Sequence, residues 1–338
     1  MSQKEKQGPE EPGFSFSASN AAEARALQRS LSDRVRIVPL ASTPRFVAGV
    51  DAAFLDGLVL AAACLFTYPE MELVETSRAV LKVRFPYVPG LLGFREGPAV
   101  VKAVKGLARR PDLLFLDGQG IAHPAGMGLA SHAGLVLDMP TIGCAKSRLV
   151  GEYREPGRKK GRSTPLLYKG RQVGSVLRTK DGIRPVFISP GHRIDFEDSV
   201  RMALSCSKGF RIPEPTRVAD IETKRLKKAM EKKKQENEKG RYTQAICVKH
   251  CPYYRPEKAE AKCGAFLFLS RTLTIGEIEG ACRTGGVSFD RDQAVMELAC
   301  RGCRFLKSWC PYRTAGPSEA KSPCGGYLII ERLRNKKS

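Results

Sequence analysis

Two aspartates, Asp51 and Asp117, each follow a short apolar run, in RFVAGVDAAF and DLLFLDGQG. A carboxylate at the end of a core strand is held rigidly, and two such strands can bring two carboxylates onto one divalent cation. Magnesium takes one or two carboxylates plus water and substrate phosphate, and a metal pair can clamp an in-line displacement at phosphorus. Either acid alone is more often a strand-end cap or a turn residue. Glu96 falls in the expected first turn of a helix, where an acid ordinarily does no more than stabilise the macrodipole. Before it, in FPYVPGLLGFRE, Pro86 and Pro89 stiffen a loop that presents Tyr87, either as a wedge between bases or packed on the surface. The loop after Asp117 carries Gly118 and Gly120, which let the backbone approach a flat heterocycle or a phosphate. It also carries His123, a phosphate contact or a structural hydrogen-bonder. Lys146, just past the buried run PTIGCA, either offsets phosphate charge or snorkels at the surface.

A second chemistry is written in cysteines. Eight of the chain's 11 crowd into its last hundred residues: Cys247, Cys251, Cys263, Cys282, Cys300, Cys303, Cys310 and Cys324. Cys64, Cys144 and Cys206 are scattered and read as small buried apolar residues. In a reducing compartment dense cysteines are metal ligands before they are disulfides. Eight thiolates supply two four-coordinate sites, and Cys300 and Cys303 have the knuckle spacing of tetrahedral zinc. Zn²⁺ is the first reading, an iron–sulfur cluster the second and disulfides the third. The tail also repeats: CPYYRPEKAEAKCGAFLFL (251–269) and CPYRTAGPSEAKSPCGGYLII (310–330) share Cys-Pro-Tyr, then Cys-Gly and an apolar run expected as a strand.

The elements that must position these groups follow from periodicity. Ser19 or Asn20 caps a helix over AAEARALQRSLSDRV. Three strands follow, RFVAGVDAAF, 58–66 and 77–85, the first two joined by a turn at Asp56-Gly57. A helix over 93–111 stops at Pro111, and DLLFLD is a short strand ending in Asp117. A helix over 127–139, the strand before Lys146, a strand in RPVFISPGHRID and a helix over 196–210 complete the pattern. Strands alternating with helices indicate an α/β sheet, and the leading three strands indicate that part is antiparallel. Residues 224–241 are almost all charge: a solvated helix or linker, or a basic strip that follows a phosphate backbone.

Length and composition bound the rest. The 338 residues suggest two domains, and 42% apolar content rules out wholesale disorder. A net charge of +22 points to a polyanionic partner. No apolar run approaches the length of a membrane span, and MSQKEKQGPEEPGF has no apolar segment of a secretory signal. A cytoplasmic monomer with no membrane partner is expected.

Six blocks, FVAGVDAAF (46–54), FPYVPGLLGFREGP (85–98), LLFLDGQGIAHP (113–124), PTIGCAKSRL (140–149), VFISPGHR (186–193) and FRIPEPTRVAD (210–220), occur in this order. Over residues 20–222 the chain resembles the endonuclease V family, which cleaves beside deaminated adenine. The resemblance implies a ribonuclease H-like mixed sheet flanked by helices. It also implies hydrolysis that depends on Mg²⁺, with Mn²⁺ as a substitute. The cut falls at the second phosphodiester 3′ to deoxyinosine, leaving 3′-hydroxyl and 5′-phosphate ends. By the same resemblance Asp51 and Asp117 bind metal, Glu96 and Lys146 are catalytic, and Asp220 stands near the metal. Tyr87 is the wedge, Gly118 and Gly120 line the base pocket, and His123 belongs to the same loop. The chain departs from the family at Gln119, where many members have His or Asn, and in GCAKSRL, where a Lys often follows the catalytic one. The expected domains are a disordered segment 1–18, a nuclease domain 19–222, a basic linker or helix 223–241 and a Cys-rich metal-binding module 242–338 that aids nucleic-acid binding. An inosine-specific endoribonuclease and a non-cleaving lesion binder are the alternatives.

Overall fold

Asp56 and Gly57 both have positive φ, 47° and 76°, the backbone of a tight two-residue hairpin turn whose twist suits the strands on either side. That turn joins β1 (Phe46–Leu55) to β2 (Leu58–Thr67), and β3 (Leu73–Lys82) adds the third antiparallel strand. The computed structural model describes residues 16–248, 264–282, 329–330 and 332. The chain divides into two compact units, Met1–Ala229 and Met230–Ser338.

In the first unit β4 (Leu113–Asp117), β5 (Thr141–Ala145), β6 (Ser163–Tyr168), β7 (Arg171–Leu177) and β8 (Val186–His192) complete one eight-stranded sheet of order β3-β2-β1-β4-β5-β8-β7-β6. The central strands β1, β4 and β5 are parallel, and all other pairings are antiparallel. The sheet is mixed, as the sequence indicates.

Because side chains alternate along a strand, each strand feeds two cores. Ala48 and Val50 of β1, with Leu114 and Leu116 of β4, pack with Ala99, Val100, Ala103 and Ala130 from α2 (Leu92–Lys105) and α3 (Leu129–Leu137). Val47, Leu113 and Phe115 turn the other way, onto Met202 and Ala203 of α4 (Phe196–Ser205) and Ala219 of α5 (Glu214–Tyr242). Gly49 permits a close approach of α5: a Cβ there would stand 2.1 Å from the backbone of Pro215, in the first turn of that helix.

The N-terminal helix α1 (Ala21–Ser32) is capped reciprocally. Asn20 accepts from the Glu23 amide at 2.9 Å, and Glu23 accepts from the Ser19 amide at 2.8 Å. Residues 1–15 of the segment expected to be disordered lie outside the described residues. Phe16 corrects that expectation: its ring sits 4.0 Å from the His132 ring and fills the notch left by Gly97. Two phenylalanines, Phe14 and Phe16, in an otherwise polar stretch make too short a pattern to betray it. The stack continues from His132 to Phe94 and from Phe94 to Phe85, at the base of the Tyr87 loop.

In the second unit a π-helical turn (Thr243–Val248), α6 (Gly264–Thr272) and α7 (Ile275–Cys282) surround a core of Ala245, Ile246, Phe266, Leu269, Ile278, Ile329 and Ile330. Thr274 and Glu277 form a capping box at the start of α7. The apolar run expected as a strand in the first tail repeat is instead α6. Its buried residues Phe266 and Leu269 are three apart, a helical spacing that a continuous apolar run conceals. Cys247 is partly buried against this core, and Cys282 ends α7. The other six tail cysteines lie outside the described residues. Among the described residues no helix is long and apolar enough to cross a membrane.

Candidate active site

The parallel ladder between β1 and β4 runs from Val47 opposite Leu113 to Val50 opposite Leu116. One step further along both strands stand Asp51 and Asp117. Both therefore leave the ladder side by side, on the face that α5 covers. This corrects the reading of Asp51 as a strand end: β1 runs on to Leu55 because its other edge stays paired to β2, and only the pairing with β4 stops. Asp117 is the last residue of β4.

A third acid arrives on α5. Thr223, fully buried, donates to the Asp51 carbonyl at 3.2 Å and to the Ala219 carbonyl at 2.9 Å, fastening the helix across β1. Arg78 of β3 adds an ion pair to Glu222 at 2.7 Å. Asp220 is so placed that carboxylate oxygens of Asp51, Asp117 and Asp220 all lie within 4.8 Å of one another.

Two lysines answer this charge. Lys146, one residue past β5, donates to Asp117 at 2.6 Å and lies 3.7 Å from Asp220. Lys224, one helical turn beyond Asp220, reaches it at 2.5 Å. Burial alone pulls the Lys146 ammonium down, but the bond to Asp117 and the charges of Asp117, Asp220 and Asp51 outweigh it and hold it above its ordinary value. Asp51 is pushed up to about 7, first by burial and then by Asp117 and Asp220.

Glu96 lies not in the first turn of its helix but in the second, because α2 begins at Leu92. There it is buried, and burial, followed by the charges of Asp51 and Asp117, raises it to about 8. Glu96 thus faces the same charge cluster from the helix on the opposite side of the sheet.

The other expected residues divide. Tyr87 stands 69% exposed on its loop, so nothing in the fold consumes its ring. His123 is buried beside Gly90 at the far end of that loop, and burial lowers its pKa. Gln28 of α1 donates to the Gly90 carbonyl at 2.9 Å, so loop and glycine are tied to the scaffold. Gly118 has φ of 157°, a backbone that side chains rarely adopt. Gly120 gives its amide to Ser189 Oγ at 2.7 Å, and a Cβ there would stand 2.0 Å from the Pro190 carbonyl, so it serves close packing on β8.

Sequence reading missed Lys224, Thr223 and Arg211. The first two carry a faint signal, sitting within one turn of Asp220 on a helix. Arg211 carries none: its guanidinium donates to the carbonyls of Lys146, at 2.6 Å, and Pro185, at 2.9 Å, a contact visible only in three dimensions.

Asp51, Asp117 and Asp220 form an oxygen-only donor set of the kind that suits a hard divalent cation, and such a cation would offset the part of the Asp51 shift that, after burial, comes from Asp117 and Asp220. The unfolded chain protonates these acids only near their ordinary values of 3.8 and 4.5, whereas the folded chain holds protons up to about 7 on Asp51 and about 8 on Glu96. Between those limits the folded state binds more protons, so metal-free stability falls as pH rises from about 4 to about 8. Added Mg²⁺ is therefore expected to raise the melting temperature more at pH 8 than at pH 5, as thermal melts with and without the ion will show. Equal shifts at both values would mean that these acids do not hold it.

Aspartates brought side by side where the pairing of two parallel central strands stops, with lysines against them, are suited to metal-assisted chemistry at phosphorus. Residues 29–221 match the family described as Endonuclease V. Endonuclease V of Geotalea uraniireducens (strain Rf4) is 50% identical over 198 residues, covering 59% of this chain and 85% of that protein. The endonuclease V structure from Streptomyces avermitilis superposes with a TM-score of 0.61 at 42% identity, over 63% of this chain and 96% of that one. That of Ciona intestinalis, in complex with a 24mer DNA containing an inosine followed by a ribo-adenosine, gives 0.55 at 26% identity, over 62% and 98%. The chain belongs to the endonuclease V family.

Proposed function

We propose that this endonuclease hydrolyses DNA at the second phosphodiester 3′ to deoxyinosine, leaving 3′-hydroxyl and 5′-phosphate ends, in the repair of deaminated adenine. The observation that carries the reading is the convergence of Asp51, Asp117 and Asp220 on one point beside Lys146, in a chain of this family. Asp51 and Asp117, with Asp220 beside them, would hold Mg²⁺ or Mn²⁺. When bound, such an ion lowers the pKa of water and neutralises charge on phosphate. Glu96, buried and facing the acid cluster from α2, is placed to take up or release a proton there. Lys146 supplies a positive charge to the phosphate, and Arg211 holds its backbone in place. Exposed Tyr87 fills the gap left when the lesion is taken out of the stack, which costs roughly a few kcal/mol and less for a poorly paired base.

The DNA of the Ciona intestinalis complex has a ribonucleotide after the inosine. It favours a second reading, in which this chain cuts inosine-containing RNA by the same chemistry. End-labelled DNA and RNA strands, each with one hypoxanthine, are the test. DNA cut one nucleotide 3′ of the lesion is expected; cutting of RNA alone would move the function to inosine-RNA turnover. Failure to cut either would leave a lesion binder. The cysteine spacing of the tail is the ground for proposing Zn²⁺ there and a supporting grip on nucleic acid. A brown protein absorbing visible light would replace zinc with an iron–sulfur cluster.

A further inference from the structure

Phe210 is half exposed at the turn between α4 and α5, at 50% of its surface, although an aromatic ring is costly to leave in water. It is not loose. The Arg217 guanidinium lies 4.3 Å from the ring centroid, and Arg217 is itself clamped by Glu214 through two hydrogen bonds, of 2.7 and 2.6 Å. One side of the ring is thereby braced by a fixed cation, and the remainder is open to solvent. Exposed Lys208 stands two residues away on the same turn.

Two routes fix where this ring lies. Along α5, Arg217 precedes Asp220 by three residues, less than one helical turn and about 4.5 Å of rise. Along the turn, the next residue is Arg211, whose guanidinium holds the carbonyl of Lys146, and Lys146 reaches both Asp117 and Asp220. The platform therefore borders the acid cluster on its Asp220 and Lys146 side, within reach of a nucleotide next to the cut. Tyr87 occupies a different loop, ahead of α2.

We propose that Phe210, braced by Arg217, is a stacking platform for a base of the substrate strand flanking the scissile phosphate. The inference rests on the nucleic-acid reading of the site and adds a subsite to it. Stacking of a base on an aromatic ring is tolerant of sequence, so the platform grips the strand without choosing the base. A cation behind the ring suits the same task, since arginine adds to aromatic stacking of bases.

The test couples the ring to one base. The full chain, with calcium in place of magnesium so that strands stay intact, is titrated with oligonucleotides that carry a single abasic residue at successive positions. One series contains hypoxanthine and a matched series contains adenine. In the wild-type protein, loss of one flanking base is expected to weaken binding about ten-fold. Phe210→Ala is expected to bind the intact strand about ten-fold more weakly and to show no further loss at that position, and Phe210→Trp to restore both effects. Abasic penalties in Phe210→Ala that match the wild type at every position, in both series, would overturn the platform. Coupling in both series without preference for hypoxanthine would keep the platform and overturn the lesion reading.

Discussion

Replacing Asp117 with alanine is expected to slow cleavage about a thousand-fold or more while strand binding survives. Asp117 is the acid closest to Lys146, at 2.6 Å, and one of three whose oxygens converge. On the proposed reading its loss removes a cation ligand, a role worth several kcal/mol at the transition state. It also removes a repulsion, because the Asp117 charge helps to raise both Asp51 and Glu96. The metal-free fold should therefore be no less stable, and Lys146 is released to meet phosphate. Single-turnover cleavage and a gel-shift titration on the same hypoxanthine strand separate the two effects. Equal loss of cutting and binding would contradict the division of labour between Asp117 and the residues that grip the strand.

Gly49→Ala should be nearly as damaging, and for a steric reason. A Cβ at residue 49 would stand 2.1 Å from the carbonyl carbon and oxygen of Pro215 and 2.7 Å from the Thr216 amide nitrogen. All three are backbone atoms in the first turn of α5, with no flexible side chain to yield. The helix must lift from β1, and with it the Thr223 bond to Asp51 and the position of Asp220. Overpacking of this kind costs about 3 kcal/mol or more, and a displacement of about 1 Å at a catalytic group can cost about a hundred-fold in rate. Thermal unfolding, paired with cleavage measured well below the midpoint, tests both. A variant that melts early yet cuts normally would show that Asp220 does not depend on this contact.

Much of the first unit was legible because its central strands are buried on both faces and read as apolar runs. The Asp-Gly turn, β2, β4 and β5 follow from that pattern. The hairpin of β6 and β7 did not declare itself: it forms the outer edge of the sheet, where polar residues break the run in STPLLY and RQVGSVL. The long α5 was read only as a charged stretch after residue 224. Its docked part shows a few small buried residues, Ala219 and Thr223 among them, rather than a broad apolar stripe. Asp51 and Asp117 were visible as acids on apolar strands, but their adjacency is a matter of register between strands 66 residues apart, which no local pattern encodes. Asp220 was found through its motif, and Arg211, which steadies Lys146, was not found at all.

The order in which the three acids occur along the chain has a consequence for assembly. Asp51 and Asp117 belong to the strands, whereas Asp220 enters only when α5, the last element of its unit, settles on Gly49 and Thr223 closes on the Asp51 carbonyl. A chain that has formed its sheet but not yet seated this helix holds an incomplete set of acids. Any local opening that freed this helix while the sheet still stood would scatter the acids before the fold itself was lost.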